Sequence, residues 1–283
     1  MYKLTTFALT TAMMLSAQVA GFNKAEEGAG KSRPESHDAL SKTRQALGGE
    51  ERLQAIRTVR ASGTFRRALS GKERTGDFDL YFMSPSRYKK IEAGAISGDA
   101  QMTLVQVLNQ DQAWSRVNLG VSDVQVAVGP GNANSESQGS RKQLRADFTR
   151  HLLALLLASP ASGALTITEA GDYNLAGVQT SAFDLKGPDE FAARIFVDAK
   201  TFLPVRMSYV GRPAAITVTQ AEPAEVKTIE KKIDVTFSDY RPVGGVMLPH
   251  RFRAEADGAL IEEFETREYH LNSKAVTAHD FDR

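Results

Sequence analysis

The 283-residue chain contains no cysteine. That absence excludes disulfides, thiol catalysis, Cys-ligated zinc and a lipid-anchored N-terminal Cys. The fold must then rest on packing alone, which a chain of this length can supply. An excess of one charge is lacking too, since 35 Lys plus Arg face 34 Asp plus Glu. Nucleic-acid partners need a basic footprint, and this balance offers none. Histidine is sparse: His37, His151, His250, His270 and His279 include no i, i+4 pair and no HExxH, so no metal or other cofactor is expected. "SRYK" matches Ser-x-x-Lys without its companion motifs, and "GPGNAN" lacks the third glycine of a dinucleotide loop. The expectation is a protein that is not an enzyme.

A long uncharged hydrophobic run is also missing beyond the N-terminus. The stretch "FTRHLLALLLAS", residues 148–159, comes nearest. Leu144, Phe148, Leu152, Leu155 and Leu156 make one stripe at helical spacing, while Leu153 and Leu157 lie off it. A helix over 141–158 would reach about 27 Å. Arg145, Asp147, Arg150 and His151 interrupt it, however, and the uncharged part is too short for a bilayer. A membrane span is excluded, which leaves a core helix or a lid.

What is present begins with a signal peptide. Residues 1–21 carry Lys3 as their one charge, an apolar stretch and small residues at Val19-Ala20-Gly21. The apolar part, about 17 residues rich in Thr and Ala, makes a poor permanent anchor. Cleavage would leave a neutral mature protein, soluble in a bacterial periplasm and without an integral span. Residues 22–36, with Gly, Pro and charge but no apolar period, read as a disordered leader, and 37–283 as one domain. A helix capped by Ser36 and stopped by Gly48-Gly49 is expected first. A short second helix over 50–57 follows, burying Leu53 and Ile56.

Strands follow. In "TVRASGTFRR" Val59, Ala61, Gly63 and Phe65 alternate with polar residues. In "RTGDFDLYF" Phe78, Leu80 and Phe82 share one face, against Asp77, Asp79 and Tyr81 on the other. Period two with one solvated face marks an antiparallel sheet. Residues 109–112 read as a hairpin turn, 129–140 as a polar loop, and the slipped alternation around Ile261 to Phe264 as a β-bulge.

Two phrases carry a resemblance: "VDAKTFLPVRM" (Asp198, Pro204) and "FSDYRPVGGVMLPHRF" (Phe237, Tyr240, Gly245, Pro249). Together with the signal peptide, the helix ending "ALGGEERLQAIRTVRASGTF" and the meandering strands, the chain from Leu40 to Phe281 resembles the LolA/LolB-like superfamily of periplasmic lipoprotein carriers and their relatives. The resemblance implies a mainly β fold: a curved antiparallel sheet forming an incomplete barrel, its concave apolar face covered by two or three helices. It also implies a carrier or binding protein for a hydrophobic ligand, a lipid or a lipoprotein acyl chain. Relatives serve as envelope sensors, so the alternative is an interaction module with a self-filled core and an envelope protein partner. The expected cavity and lid residues are Phe65, Phe78, Leu80, Phe82, Phe148, Leu152, Leu155 and Leu156, with the helix hinged at 129–140. The chain departs from the carriers in that loop and in the stretch "GRPAAITVTQAEPAEVKTIEKK".

Overall fold

The structure is a computed structural model that describes residues 36–69, 72–97, 100–119, 125–128, 138–158, 165–211, 216–219 and 230–282. The expected signal peptide, nearly all of the leader and most of the 129–140 loop lie outside the described residues. Helices α1 (Ser36–Leu47) and α2 (Glu50–Ala55) come first, parted by Gly48-Gly49. Gly48 has φ 134°, and a Cβ there would meet the Gly245 carbonyl at 2.6 Å, so glycine lets the helix end press onto a strand turn. α2 stops short of the expected residue 57 because Ile56 is already extended, with φ −78° and ψ 114°. Leu53 and Ile56 are buried all the same.

Strands β1 (Thr58–Leu69), β2 (Lys72–Met83), β3 (Arg87–Ser97), β4 (Ala100–Asn109) and β5 (Gln112–Leu119) form a meander. Then come β6 (Gln125–Val128) and helix α3 (Gln138–Leu156). A second run follows: β7 (Thr166–Leu175), β8 (Val178–Lys186), β9 (Ala192–Asp198), β10 (Pro204–Gly211), β11 (Ile216–Thr219), β12 (Lys231–Val243), β13 (Val246–Ala256) and β14 (Ala259–Leu271). Twelve of these form one antiparallel sheet in the order β5-β4-β3-β2-β1-β14-β13-β12-β10-β9-β8-β7, and β6 pairs with β11 apart from it. The outer strands β5 and β7 do not pair with each other, so the barrel stays open. α3 lies in the chain between those two edge strands, and the incomplete barrel with helices over one face is the fold that the resemblance implied.

Period-two alternation sets the faces. Phe78, Leu80 and Phe82 are buried with Val59, Ala61 and Phe65, whereas Asp77 is 72% exposed. The slip expected near Ile261 is present. Ala254 pairs with Glu262 and Glu255 with Leu260, which leaves Ile261 as the extra residue of a bulge. A second bulge leaves Arg267 extra opposite Ser62 and Gly63. There a Cβ on Gly63 would stand 1.9 Å from the Glu265 carbonyl oxygen.

The main core lies between the sheet's concave face and α3, where Phe148, Leu152, Leu153, Leu155, Leu156 and Leu157 are all buried. A smaller cluster occupies the opposite face, with Phe281 of the final 3-10 turn (Ala278–Phe281) packed near Val107, Val276, Tyr81 and Trp114. Asp280 holds that turn by accepting from the Thr277 N–H at 2.7 Å and its hydroxyl at 3.1 Å.

Candidate functional site

A cavity of about 180 Å³ lies between the concave face and α3. Strand parity supplies its apolar wall. Phe78 and Leu80 come from β2, Phe237 from β12, Phe252 from β13 and Phe264 from β14, and Leu155 faces them from α3. The Phe78 and Phe264 rings meet edge to face at 5.2 Å, as do Phe237 and Phe252 at 5.7 Å. Of the eight residues expected from sequence, Phe78, Leu80 and Leu155 line this cavity. Phe82, Phe148, Leu152 and Leu156 pack beside it in the same core, and Phe65 sits behind the Phe264 ring at 6.2 Å.

The other half of the wall is charged. In β1 the inward parity of Val59, Ala61 and Phe65 continues to Arg67, and in β3 Tyr88, Lys90 and Glu92 share a face. Antiparallel register sets Lys90 opposite Leu80, Glu92 opposite Phe78, and Glu262 opposite Arg67. Residues directly opposite lie on the same face. All four therefore point into the concave side.

Arg67 and Glu92 are 4% and 2% exposed and form a bidentate pair with both bonds at 2.9 Å. Arg67 also donates through Nε (3.1 Å) and Nη2 (2.8 Å) to Glu262 Oε2, and Lys90 Nζ lies 3.0 Å from Glu92 Oε1. Burial opposes ionisation of Glu92, but the charges of Arg67 and Lys90 outweigh it and hold the carboxyl far below the usual range. Burial opposes the Lys90 charge as well, and Glu92 and Glu262 reverse that effect, raising its pKa.

α3 brings a second polar group over the cavity. Arg150 Nη1 donates to Asp147 Oδ1 at 2.8 Å, and its guanidinium stacks 3.8 Å from the centre of the Tyr209 ring. Gln143 Nε2 donates to the same Asp147 oxygen at 3.0 Å. His151 Nδ1 lies 2.8 Å from the Asp147 backbone carbonyl, which can only accept, so Nδ1 carries the proton. Burial pushes the His151 pKa below its ordinary value, against the raising effect of that carbonyl. The ring packs among Tyr88 and Phe82 at 5.7 and 5.9 Å. Tyr88 is wholly buried, and its hydroxyl has no partner among the described residues.

The N-terminal half of α3 is tied down by exposed ion pairs. Lys142 reaches Glu190, and Arg145 reaches both Asp111 and Asp189. Asp111 lies in the turn between β4 and β5, and the other two carboxylates between β8 and β9. The helix therefore bridges hairpins on opposite sides of the open sheet. Among the described residues no cluster of His, Asp and Glu is placed to hold a metal, and no helix is long and apolar enough to cross a membrane.

Comparison of the sequence with protein-family models and with curated protein sequences finds no match. Solved structures do match in fold. A LolA superfamily protein from Nitrosomonas europaea superposes with a TM-score of 0.51 at 9% identity, covering 87% of this chain and 97% of that one. A DUF1329 family protein from Desulfovibrio piger gives a TM-score of 0.49 at 10% identity, with the same two coverages of 87% and 97%. The fold is LolA-like, as the sequence resemblance implied.

Proposed function

We propose that the protein is an exported, non-enzymatic carrier or binding protein, periplasmic after loss of residues 1–21, that takes a lipid or lipoprotein acyl chain beneath α3. The observation that carries this reading is the aromatic-walled cavity of about 180 Å³ between the concave face and the helix. Its volume exceeds the roughly 150 Å³ that admits a benzene ring, and falls short of the roughly 300–1,000 Å³ of pockets for drug-sized ligands. As it stands, the cavity suits a short chain or the end of a long one. A longer chain needs α3 to shift as a lid. The N-terminal half is the part that gives, because solvent-screened ion pairs and the single leucine Leu144 hold it, while Leu152, Leu153, Leu155 and Leu156 bury the other half.

A second reading has its own support. Leu153 and Leu157 are as buried as Leu155, so the end of α3 is core on every side. That favours an envelope sensor or interaction module with a self-filled core and a protein partner. Organic extraction of purified protein followed by mass spectrometry, with titration of a fluorescent fatty-acid probe, separates the two. The carrier reading expects co-purified lipid, saturable probe binding, and weaker binding by a still-folded Leu155→Ala. If no lipid is extracted, no probe binds and Leu155→Ala simply unfolds, the carrier reading is wrong and the module takes its place.

A further inference from the structure

The cavity wall carries more polar structure than a store for hydrocarbon requires. Three cations reach it (Arg67, Lys90, Arg150), together with three carboxylates (Glu92, Glu262, Asp147). Each cation is already engaged: Arg67 with Glu92 and Glu262, Lys90 with Glu92, and Arg150 with Asp147. The wall therefore has no net charge to offer an ionic ligand. Its unused hydrogen-bonding capacity is of both kinds. Lys90 spends one of its three donors on Glu92. Both bonds to Glu262 fall on Oε2 and both to Asp147 on Oδ1, so each carboxylate keeps an oxygen that accepts nothing from the described residues. His151, with its proton on Nδ1, presents Nε2 as a further acceptor.

From this arrangement we infer that the polar end of the cavity is a subsite for the uncharged, hydroxyl-bearing head of an amphiphile, a monoacylglycerol in type, whose chain lies against Phe78, Phe237, Phe252 and Phe264. The inference rests on the ligand-binding reading above and adds the chemistry of the head. A hydroxyl both donates and accepts. It can take an N–H from Lys90 while giving its own proton to Glu262 or Asp147. A fatty-acid carboxylate or a phosphate monoester brings acceptors and charge at neutral pH. Its oxygens would face those of Glu262 and Asp147, and its charge would enter a site where every cation is engaged.

Displacement of a neutral fluorescent probe, phenylnaphthylamine, from the delipidated full-length protein tests this. The competitors are monooctanoylglycerol, octanoate and octyl phosphate, kept short to suit the cavity. Monooctanoylglycerol should displace at concentrations about tenfold lower than either anion, the order of one or two extra hydrogen bonds. Glu262→Gln leaves the wall one positive charge in excess and should move the preference about tenfold toward octanoate. Equal or tighter competition by octanoate or octyl phosphate with the wild type overturns the head-group inference and leaves the binding reading standing. If neither the probe nor any competitor binds, both fall. Should Glu262→Gln fail to fold, the wild-type ranking decides alone.

Discussion

Replacing Glu92 by leucine removes the carboxylate on which the buried network turns. Arg67 loses two bonds of 2.9 Å and keeps those to Glu262, while Lys90 loses its partner at 3.0 Å and is left with the longer-range attraction of Glu262 and Asp147. A buried pair broken from one side costs about 3–5 kcal/mol, because the remaining charge stays desolvated. Arg67 is only 4% exposed, so its charge stays largely removed from water. At roughly 2–4 °C per kcal/mol for a chain of this size, the melting temperature should fall by about 10 °C. Arg67→Met in the same background leaves Lys90 balanced by Glu262 and should restore part of the loss. Urea melts of wild type, Glu92→Leu, Arg67→Met and the double variant give the coupling energy, expected at about 2 kcal/mol or more. The pH dependence adds a check of sign. Because the folded pKa of Glu92 is depressed, its contribution is complete above the unfolded value of about 4.3. It is lost as pH falls through the folded one. Wild type should therefore lose its advantage over Glu92→Leu only well into acid. Additive effects, or an advantage that vanishes near neutrality, would refute the network as described.

Three further outcomes are expected. In β2, Phe78→Ala or Phe82→Ala should cost about 3–5 kcal/mol, while Asp77→Ala stays within about 0.5 kcal/mol, read by denaturant melts; the reverse order would mean that the faces are misassigned. Gly63→Ala should destabilise by about 3 kcal/mol or more, since its Cβ would stand 1.9 Å from a backbone oxygen, and a neutral result would place the β1–β14 register in error. Burial raises the pKa of Tyr88, Tyr209, Tyr240 and Tyr269, so their stabilising contribution holds below about pH 10 and is lost as pH climbs toward the folded values. Ultraviolet titration should then show these phenols ionising together with unfolding, and smooth ionisation near pH 10 in folded protein would contradict their burial.

Much of the fold was legible because period two is a local signal. The faces of β1 and β2, the turn at 109–112 and the bulge at Ile261 all follow from neighbours in sequence. α3 was legible as an apolar helix, although its start at Gln138 precedes the apolar pattern. The polar half of the site was not read, and the reason is physical. Arg67 ends an apolar run of the same parity, and Lys90 and Glu92 look like ordinary surface charges within "RYKKIEA". Only the cross-strand register reveals that they lie opposite Leu80 and Phe78. Parity carried through β1 to its end would have flagged Arg67. Glu262 depends on a bulge and on a pairing between strands nearly two hundred residues apart, which no local pattern encodes.

The central seam of the sheet, where β1 meets β14, bears on how the molecule assembles. Each meander on either side is built from neighbouring hairpins, whereas the seam joins Val59 to Leu271 and Arg67 to Glu262. Contacts that span so much chain carry a loop-closure cost, and they set the pace of folding. The two half-sheets can thus order early, each showing a raw strand edge to its surroundings until the last strand arrives. Phe78 and Phe264, and Arg67 and Glu262, face each other across that join. A nascent chain released short of β14 would hold two unpaired edges, β1 and β13, beyond those of β5 and β7, and half a cavity. The protein therefore gains its internal chamber in the same event that pairs the inner edges of its two half-sheets.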